Sequence, residues 1–233
     1  MSSKSSALQS FVFAFLMCIV CGFMLTLAAE GLKERKLLNI KVDKQKNILK
    51  ALGLVESKKK YSNEEIESLY ESKVVSKWVN QTGDYVSQST EGALPLFVYQ
   101  ENGRLKAYAV HYKAYGLWSW VKGYFSLKND GNTVNGITVY SHEETPGLGG
   151  EVEKAWFQDQ YKGKKIVDYK GKFVSIGVVK GKVKDWITDP KAQNNYVDGM
   201  SGATITGQGM EKYIRETLVQ YEGFSKKLRK GLL

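Results

Sequence analysis

One uncharged run near the amino terminus constrains this chain more than any other feature. Residues 11–29, FVFAFLMCIVCGFMLTLAA, form 19 residues without a charge. At about 1.5 Å per residue, a helix of that length matches the roughly 30 Å hydrocarbon core of a bilayer. A cleaved signal peptide is the alternative, because Lys4 precedes the run and small residues end it. The run exceeds a usual signal core, so we predict an uncleaved transmembrane helix behind a short tail, residues 1–10.

The positive charge of the chain lies at its two ends. The formal net charge is +10, yet the first 60 residues carry eleven Lys and Arg against four acids, and the tail 226–233 adds four bases. Residues 61–225 are left with a net charge of about −1. Basic ends suit contact with anionic lipid or acidic partner subunits. No basic and aromatic pattern accompanies them, so we predict no nucleic-acid binding.

The patterns after the apolar run predict an α+β fold. Residues 30–60 have helical spacing and form a basic helical linker, and Ser62 with Glu65 is typical of a capping box that opens a helix. Short runs rich in β-branched and aromatic residues predict strands in an antiparallel or mixed sheet, and two amphipathic segments predict flanking helices. The strand runs are 96–100, 104–112, 133–141 and 172–181, and the helices are 151–161 and 206–224. We therefore predict one soluble domain, 61–225, followed by a basic tail, 226–233.

Ordinary catalytic patterns are sparse. His111 lies within a strand run as a lone histidine, which predicts a structural residue, and His142 opens HEETPGLGG at a strand end. Glu143 and Glu144 are adjacent in an extended segment, so their side chains point to opposite faces and do not form an acid pair. The only cysteines, Cys18 and Cys21, lie in the apolar run, and two thiols alone do not make a structural zinc site. We assign no catalytic residue and no metal site.

A second glycine-rich stretch, DGMSGATITGQGM (198–210), places two threonines just before a helix. Either Thr204 or Thr206 is suited to cap that helix, and the same helix end would favour a phosphate. The small residues Ser201, Gly202 and Ala203 leave room beside the hydroxyl of Thr204. An alcohol without a neighbouring base is a poor nucleophile, so covalent modification here would need a second enzyme.

Four motifs together resemble the C subunit of the bacterial Na⁺-translocating NADH:quinone oxidoreductases. They are ILKALGL (48–54), YGLWSWVKGYFSL (115–127), HEETPGLGGEVE (142–153) and DGMSGATITGQGM, and with the amino-terminal span the similarity extends over essentially the whole chain. The last motif resembles the flavinylation motif D-x-x-S/T-G-A-T of that family, whose final threonine carries FMN through a phosphoester bond. The resemblance implies that Thr204 is the acceptor and that Thr206 is not.

The resemblance also implies the surroundings of that cofactor. A separate magnesium-dependent flavin transferase would move FMN from FAD onto Thr204 and recognise Asp198. FMN would lie beside Ser201, Gly202 and Ala203, and its ring against two loops, 116–118 and 144–149. The residues expected to form its walls and amide contacts are Leu117, Trp118, Glu144, Thr145, Leu148 and Gly149.

The resemblance further implies a place for the chain in a larger assembly. The expected protein is a single-pass subunit of the bacterial inner membrane, with its soluble domain in the periplasm. Other membrane subunits would exchange electrons with its flavin, and quinone reduction would be coupled elsewhere to sodium export. Two alternatives stay open at this point: the G subunit of an Rnf-type electron-transport complex, and a non-redox membrane-anchored binding module.

Overall fold

A computed structural model of the chain describes residues 3–56 and 59–232. The chain forms two compact units, one up to Val42 and one from Asp43 onward. The helices are α1 Ser3–Gly31, α2 Lys33–Ala51, α3 Asn63–Lys73, α4 Ala155–Gln158, α5 Val183–Trp186, α6 Thr204–Gln220 and α7 Glu222–Arg229. The strands are β1 Val74–Val79, β2 Tyr85–Val86, β3 Leu94–Glu101, β4 Arg104–Tyr115, β5 Trp120–Lys128, β6 Val134–Ser141, β7 Gly177–Val178 and β8 Tyr196–Val197.

The predicted apolar span lies inside α1. Its part Leu8–Gly31, 24 residues with mean hydropathy 2.6, is long and apolar enough to cross a membrane, and none of it is buried within the protein. The hydroxyl of Thr26 donates to the carbonyl of Gly22, 2.8 Å away, which satisfies that polar group inside the helix. Large apolar side chains that are exposed all round a helix need an apolar surrounding, and a bilayer provides it.

The second unit is built on a six-stranded antiparallel sheet in the order β2-β1-β3-β4-β5-β6. Helix α6 packs on β4 through a buried stripe of Met210, Ile214 and Leu218. A separate parallel pair joins β7 to β8. The predicted α+β fold, a sheet with flanking helices, is therefore confirmed, and so is the capping box, since Ser62 and Glu65 bond each other's backbone N–H at the start of α3.

The carboxyl half of α2 belongs to the second unit. Ile48, Leu49 and Leu52 are at most 3% exposed. The carbonyl of Ala51 accepts from the side-chain amide of Asn135 on β6, 3.2 Å away. The unit thus begins at Asp43, whereas the sequence pattern places the soluble domain from residue 61. The physical reason is that three apolar side chains of the expected linker complete the core.

Two secondary-structure predictions are wrong in detail. Residues 151–161 form no continuous helix but short turns around α4, which bring Val152, Phe157 and Tyr161 into the core together. The run 172–181 contains only the two-residue strand β7, because Ser175 adopts φ 67° and the amides of Val174 and Ser175 both bond to one carbonyl, that of Ile166. Such a residue interrupts a strand.

The segment expected to be a basic tail, 226–233, begins within a helix. The predicted helix 206–224 is divided at Tyr221, and α7 continues to Arg229. Phe224 is fully buried, and the guanidinium of Arg229 donates to the carbonyl of Gly131, 2.8 Å away. The start of the expected basic tail therefore packs on the domain through Leu228 and Arg229, while Lys226 is exposed.

Candidate functional site

Helix α6 begins at Thr204, with Ala203 in the capping position and no side-chain cap. The expectation that Thr204 or Thr206 caps this helix is therefore wrong. The side chain of Thr204 is exposed, and its hydroxyl has no hydrogen-bond partner within the part of the chain that the structure describes. The hydroxyl is thus free to meet another molecule.

Thr206 stands in the opposite environment although it is two residues away. It is 1% exposed, and its hydroxyl donates to the Glu144 carboxylate over 2.7 Å. A buried hydroxyl that already makes a bond to a carboxylate is inaccessible to an incoming phosphorus atom. Thr204 and Thr206 have identical side chains, but only the hydroxyl of Thr204 is accessible to another molecule.

Glu144 ties three segments of the chain together. Its carboxylate accepts from the backbone amides of Leu117, Trp118 and Ser119 at 3.3, 2.9 and 3.1 Å, and from Thr206. Burial alone would raise the pKa of this carboxyl, but the hydrogen bonds from Thr206 and the three amides bring the pKa below its ordinary value. Glu144 is therefore an anion inside the fold, while adjacent Glu143 is exposed, as the strand alternation predicts.

Glycine lets α6 approach the β4–β5 turn. A Cβ atom on Gly209 would lie 1.9 Å from the carbonyl oxygen of Tyr115. Gly202 adopts φ 69°, and a Cβ there would lie 2.7 Å from the Leu148 side chain. Residue 116 starts the turn, and its amide bonds to the Ser119 carbonyl at 2.9 Å. The glycines thus bring α6 and the segment before it into contact with the β4–β5 turn and the 144–149 loop.

A groove of about 710 Å³ opens at Thr204, within the size range of ligand sites in proteins. Its residues combine backbone-exposing glycines, two ammonium groups and two indole rings. Trp156 and Trp186 are 45% and 60% exposed. The lining residues are Gly147, Glu151, Trp156, Lys180, Gly181, Lys182, Trp186, Gly199, Met200, Ser201, Gly202 and Thr204.

Asp198 holds one edge of this groove. Its carboxylate accepts from the Lys182 ammonium at 2.9 Å and from the Val183 amide at 2.8 Å, and its own amide donates to Gln160. Burial raises its pKa, but the bonds from Lys182 and Val183 outweigh it, so the pKa lies below the ordinary value. Asp198 therefore holds Lys182 at the groove that Thr204 also lines.

A family model for an FMN-binding domain matches residues 116–219, from the β4–β5 turn through α6. The C subunit of the Na(+)-translocating NADH-quinone reductase of Pasteurella multocida is 30% identical over 99% of this chain and 98% of its own length. The chain belongs to this C-subunit family. The corresponding protein of Pseudomonas aeruginosa is 29% identical over 99% of both chains.

Solved structures of the C-subunit family share the fold of most of this chain. The crystal structure from Parabacteroides distasonis is 32% identical with a TM-score of 0.69, covering 83% of this chain and 96% of that one. NqrC from Shewanella oneidensis is 26% identical with a TM-score of 0.65, covering 80% and 96%. Membership in this family makes the chain an FMN-binding subunit of an oxidoreductase, and its α1 indicates membrane anchoring.

Glu144 links the three expected site segments, but of the expected residues only Ser201, Gly202 and Thr204 line the groove, and Leu117, Trp118 and Leu148 lie outside its lining. Leu117 and Trp118 are exposed on the β4–β5 turn, Leu148 is exposed beside Gly202, and Thr204 lies at the groove. Thr145 is exposed at its side chain, whereas Ala203, Glu144 and Gly149 are buried. Both indole rings and both ammonium groups of the groove, on Trp156, Lys180, Lys182 and Trp186, were not expected from the sequence, because nothing local marks them as neighbours of Thr204.

Proposed function

We propose that this chain is the electron-transfer subunit of a membrane Na⁺-translocating NADH:quinone reductase and carries FMN on Thr204 through a phosphoester bond. Family membership and the FMN-binding domain support the flavin, and the exposed, unbonded hydroxyl of Thr204 supports the point of attachment. The main support for attachment at this residue is that its hydroxyl is exposed and makes no hydrogen bond within the described residues.

Attachment requires an outside enzyme, a flavin transferase that brings FAD and recognises Asp198. The Thr204 oxygen forms a bond to the phosphorus of the FMN half of FAD, and the bond from that phosphorus to the AMP oxygen breaks. The hydroxyl proton passes to a base of the transferase, and AMP leaves. No carboxylate or imidazole among the described residues accepts a hydrogen bond from Thr204, so the base comes from the transferase.

The residues around Thr204 fit such a group. Lys180 and Lys182 line the groove and bring positive charge toward a phosphodiester. Ser201 and Gly202 leave an open backbone cradle there, since both are exposed. When bound, FMN supplies the reversible electron chemistry, so the protein provides position and electrostatics rather than an acid or a base.

We place the flavin ring against the exposed apolar side chains of Leu117, Trp118 and Leu148. They are 46%, 66% and 44% exposed, and a large planar ring covers apolar surface of this kind. The exposed segment at Thr145 extends that wall, whereas Gly149 is buried behind it against Glu144 and Thr206. The Glu144 carboxylate is fully engaged by groups of the chain itself and supports the wall from behind.

We infer a single α1 span, a domain on the periplasmic side of the inner membrane, and contact of the basic segments with lipid. Other subunits of the reductase would exchange electrons with the flavin. The full-length match to the C subunit favours this assembly over an Rnf-type complex, and the FMN-binding domain argues against a non-redox binding module.

Co-expression with a flavin transferase tests the function. We expect the full chain to gain the mass of one FMN residue and to fluoresce in a denaturing gel. Thr204→Ala should lose both signals, while Thr206→Val keeps both. Equal fluorescence in the Thr204→Ala variant would refute the attachment site, and an unmodified wild-type chain would refute covalent flavinylation as a whole.

A further inference from the structure

A single buried carboxylate joins the acceptor helix to the exposed turn between β4 and β5. Glu144 is 4% exposed, and within the described residues it accepts the hydroxyl of Thr206 and three successive amides of the turn. Successive amides that converge on one anion form a rigid nest, and each bond to a charged acceptor is stronger than a neutral one. The turn and the helix are thereby fixed to the same two oxygen atoms.

We call Glu144, the Thr206 hydroxyl and the three turn amides bonded to Glu144 the junction. Two glycines make room for it. A Cβ on Gly116 would lie 2.5 Å from one carboxylate oxygen of Glu144, and a Cβ on Gly149 would lie 2.4 Å from the other and 2.8 Å from the Thr206 hydroxyl. Any side chain at either position would push the carboxylate away. The PGLGG loop and the β4–β5 turn therefore close on Glu144 from two directions.

The junction lies beneath three exposed residues, Thr204, Leu117 and Trp118. Thr206 stands two positions after Thr204 on α6, and the amides that Glu144 binds are those of Leu117, Trp118 and the following serine. The backbone bonded to the carboxylate thus carries the exposed Leu117 and Trp118 side chains. Any change in the junction shifts the turn relative to the start of α6.

We propose that Glu144 and Thr206 are positioning residues that fix the Leu117–Trp118 turn against the acceptor end of α6 and so set the orientation of the bound flavin. This rests on the proposed attachment at Thr204. A phosphoester to one hydroxyl holds only the phosphate end, and the ribityl chain beyond it rotates freely. The orientation of the ring must therefore come from a wall whose own position is fixed.

The test uses full-length protein co-expressed with a flavin transferase. Thr206→Val keeps the side-chain shape and removes the donor, whereas Thr206→Ser keeps the donor. Thr217→Val is the matched control on α6, because that hydroxyl donates only within the helix, to the Tyr213 carbonyl 2.9 Å away. Glu144→Gln is the second variant, since it removes the charge and keeps the shape.

Four measurements separate positioning from a general loss of structure: intact mass, melting temperature, flavin fluorescence anisotropy and visible circular dichroism of the flavin. We expect Thr206→Val and Glu144→Gln to keep the FMN mass but to lose most of the induced circular dichroism and anisotropy. Thr206→Ser and Thr217→Val should retain both signals.

The result that would overturn the inference is a Thr206→Val protein with full FMN mass and wild-type anisotropy and circular dichroism, whatever its melting temperature. If Thr206→Val fails to fold, the same spectra of Glu144→Gln decide, and wild-type spectra there also overturn it. A wild-type chain without bound flavin contradicts the proposed function instead, so the two failures are distinguishable.

Discussion

At the scale of the residue, the site depends on environment rather than on side-chain type. Thr204 and Thr206 carry the same hydroxyl, but one is exposed without a partner among the described residues and the other is buried against Glu144. The resemblance of residues 198–204 to a flavinylation motif favours Thr204 from sequence. The partner of Thr206 lies 62 residues earlier in the chain, and no local pattern predicts a bond across that separation.

His111 supports a prediction about pH. Burial lowers its pKa to about 4, with help from the nearby charges of Lys113, Lys44 and Lys122. The unfolded chain has an ordinary histidine pKa near 6.5, so it binds a proton at a higher pH than the folded chain does. We therefore expect the free energy of unfolding to fall as pH drops from about 6.5 to about 4.

The His111 prediction is checked by denaturant unfolding of the full chain in detergent at several pH values. His111→Gln is the comparison variant, since an amide can still bond to the Tyr140 hydroxyl, which lies 2.7 Å from the imidazole. We expect a weaker pH dependence in this variant over that window. Equal slopes in the two proteins would show that His111 does not titrate as described.

At the scale of secondary-structure elements, the approach of α6 to the β4–β5 turn determines the site. That approach depends on Gly209, where any Cβ would meet the Tyr115 carbonyl. Gly209→Ala should lower the free energy of unfolding by about 2 kcal/mol, because overpacking against backbone outweighs the gain in helix propensity. Gln208→Ala, an exposed neighbour on the same helix, should change it by less than about 0.5 kcal/mol.

Chemical denaturation of the three proteins measures these differences. A Gly209→Ala protein as stable as Gln208→Ala would mean that the helix and the turn do not pack as closely as the structure places them. The proposed flavinylation, measured in parallel as the yield of FMN-modified chain, reports whether α6 stays in place.

Periodicity predicted most of the long elements and few of the short ones. Strands β3, β4 and β6 and helix α6 are regular enough for one buried face to show in sequence. Strands β1 and β5 were missed, and in β5 five successive residues, Gly123–Leu127, are buried, so no alternation marks it as a strand. The segments 149–161 and 172–181 are irregular because Phe157, Tyr161 and Ile176 fill the core from turns rather than from a repeating face. Their conformation depends on the sheet they cover, which local sequence does not contain.

At the scale of the whole molecule, the soluble domain includes the end of α2. A chain beginning at residue 43 keeps Ile48, Leu49 and Leu52, whereas one beginning at residue 61 loses them. Each such side chain contributes about 1.5–3 kcal/mol when buried. We expect the 43–233 protein to melt cooperatively at a clearly higher temperature than the 61–233 protein, as calorimetry would show. Equal melting temperatures of the two proteins would show that residues 43–60 do not stabilise the domain and that it begins at residue 61.

The central claim is that one oxygen atom, the Thr204 hydroxyl, carries FMN. Trypsin releases residues 192–212 as one peptide that contains both Thr204 and Thr206, because no Lys or Arg lies between Lys191 and Lys212. Tandem mass spectrometry of this peptide, from full-length protein co-expressed with a flavin transferase, locates the flavin. We predict the FMN mass on the fragment ions that include Thr204 and exclude Thr206. The same mass on Thr206, or an unmodified peptide from a yellow protein, would contradict the account.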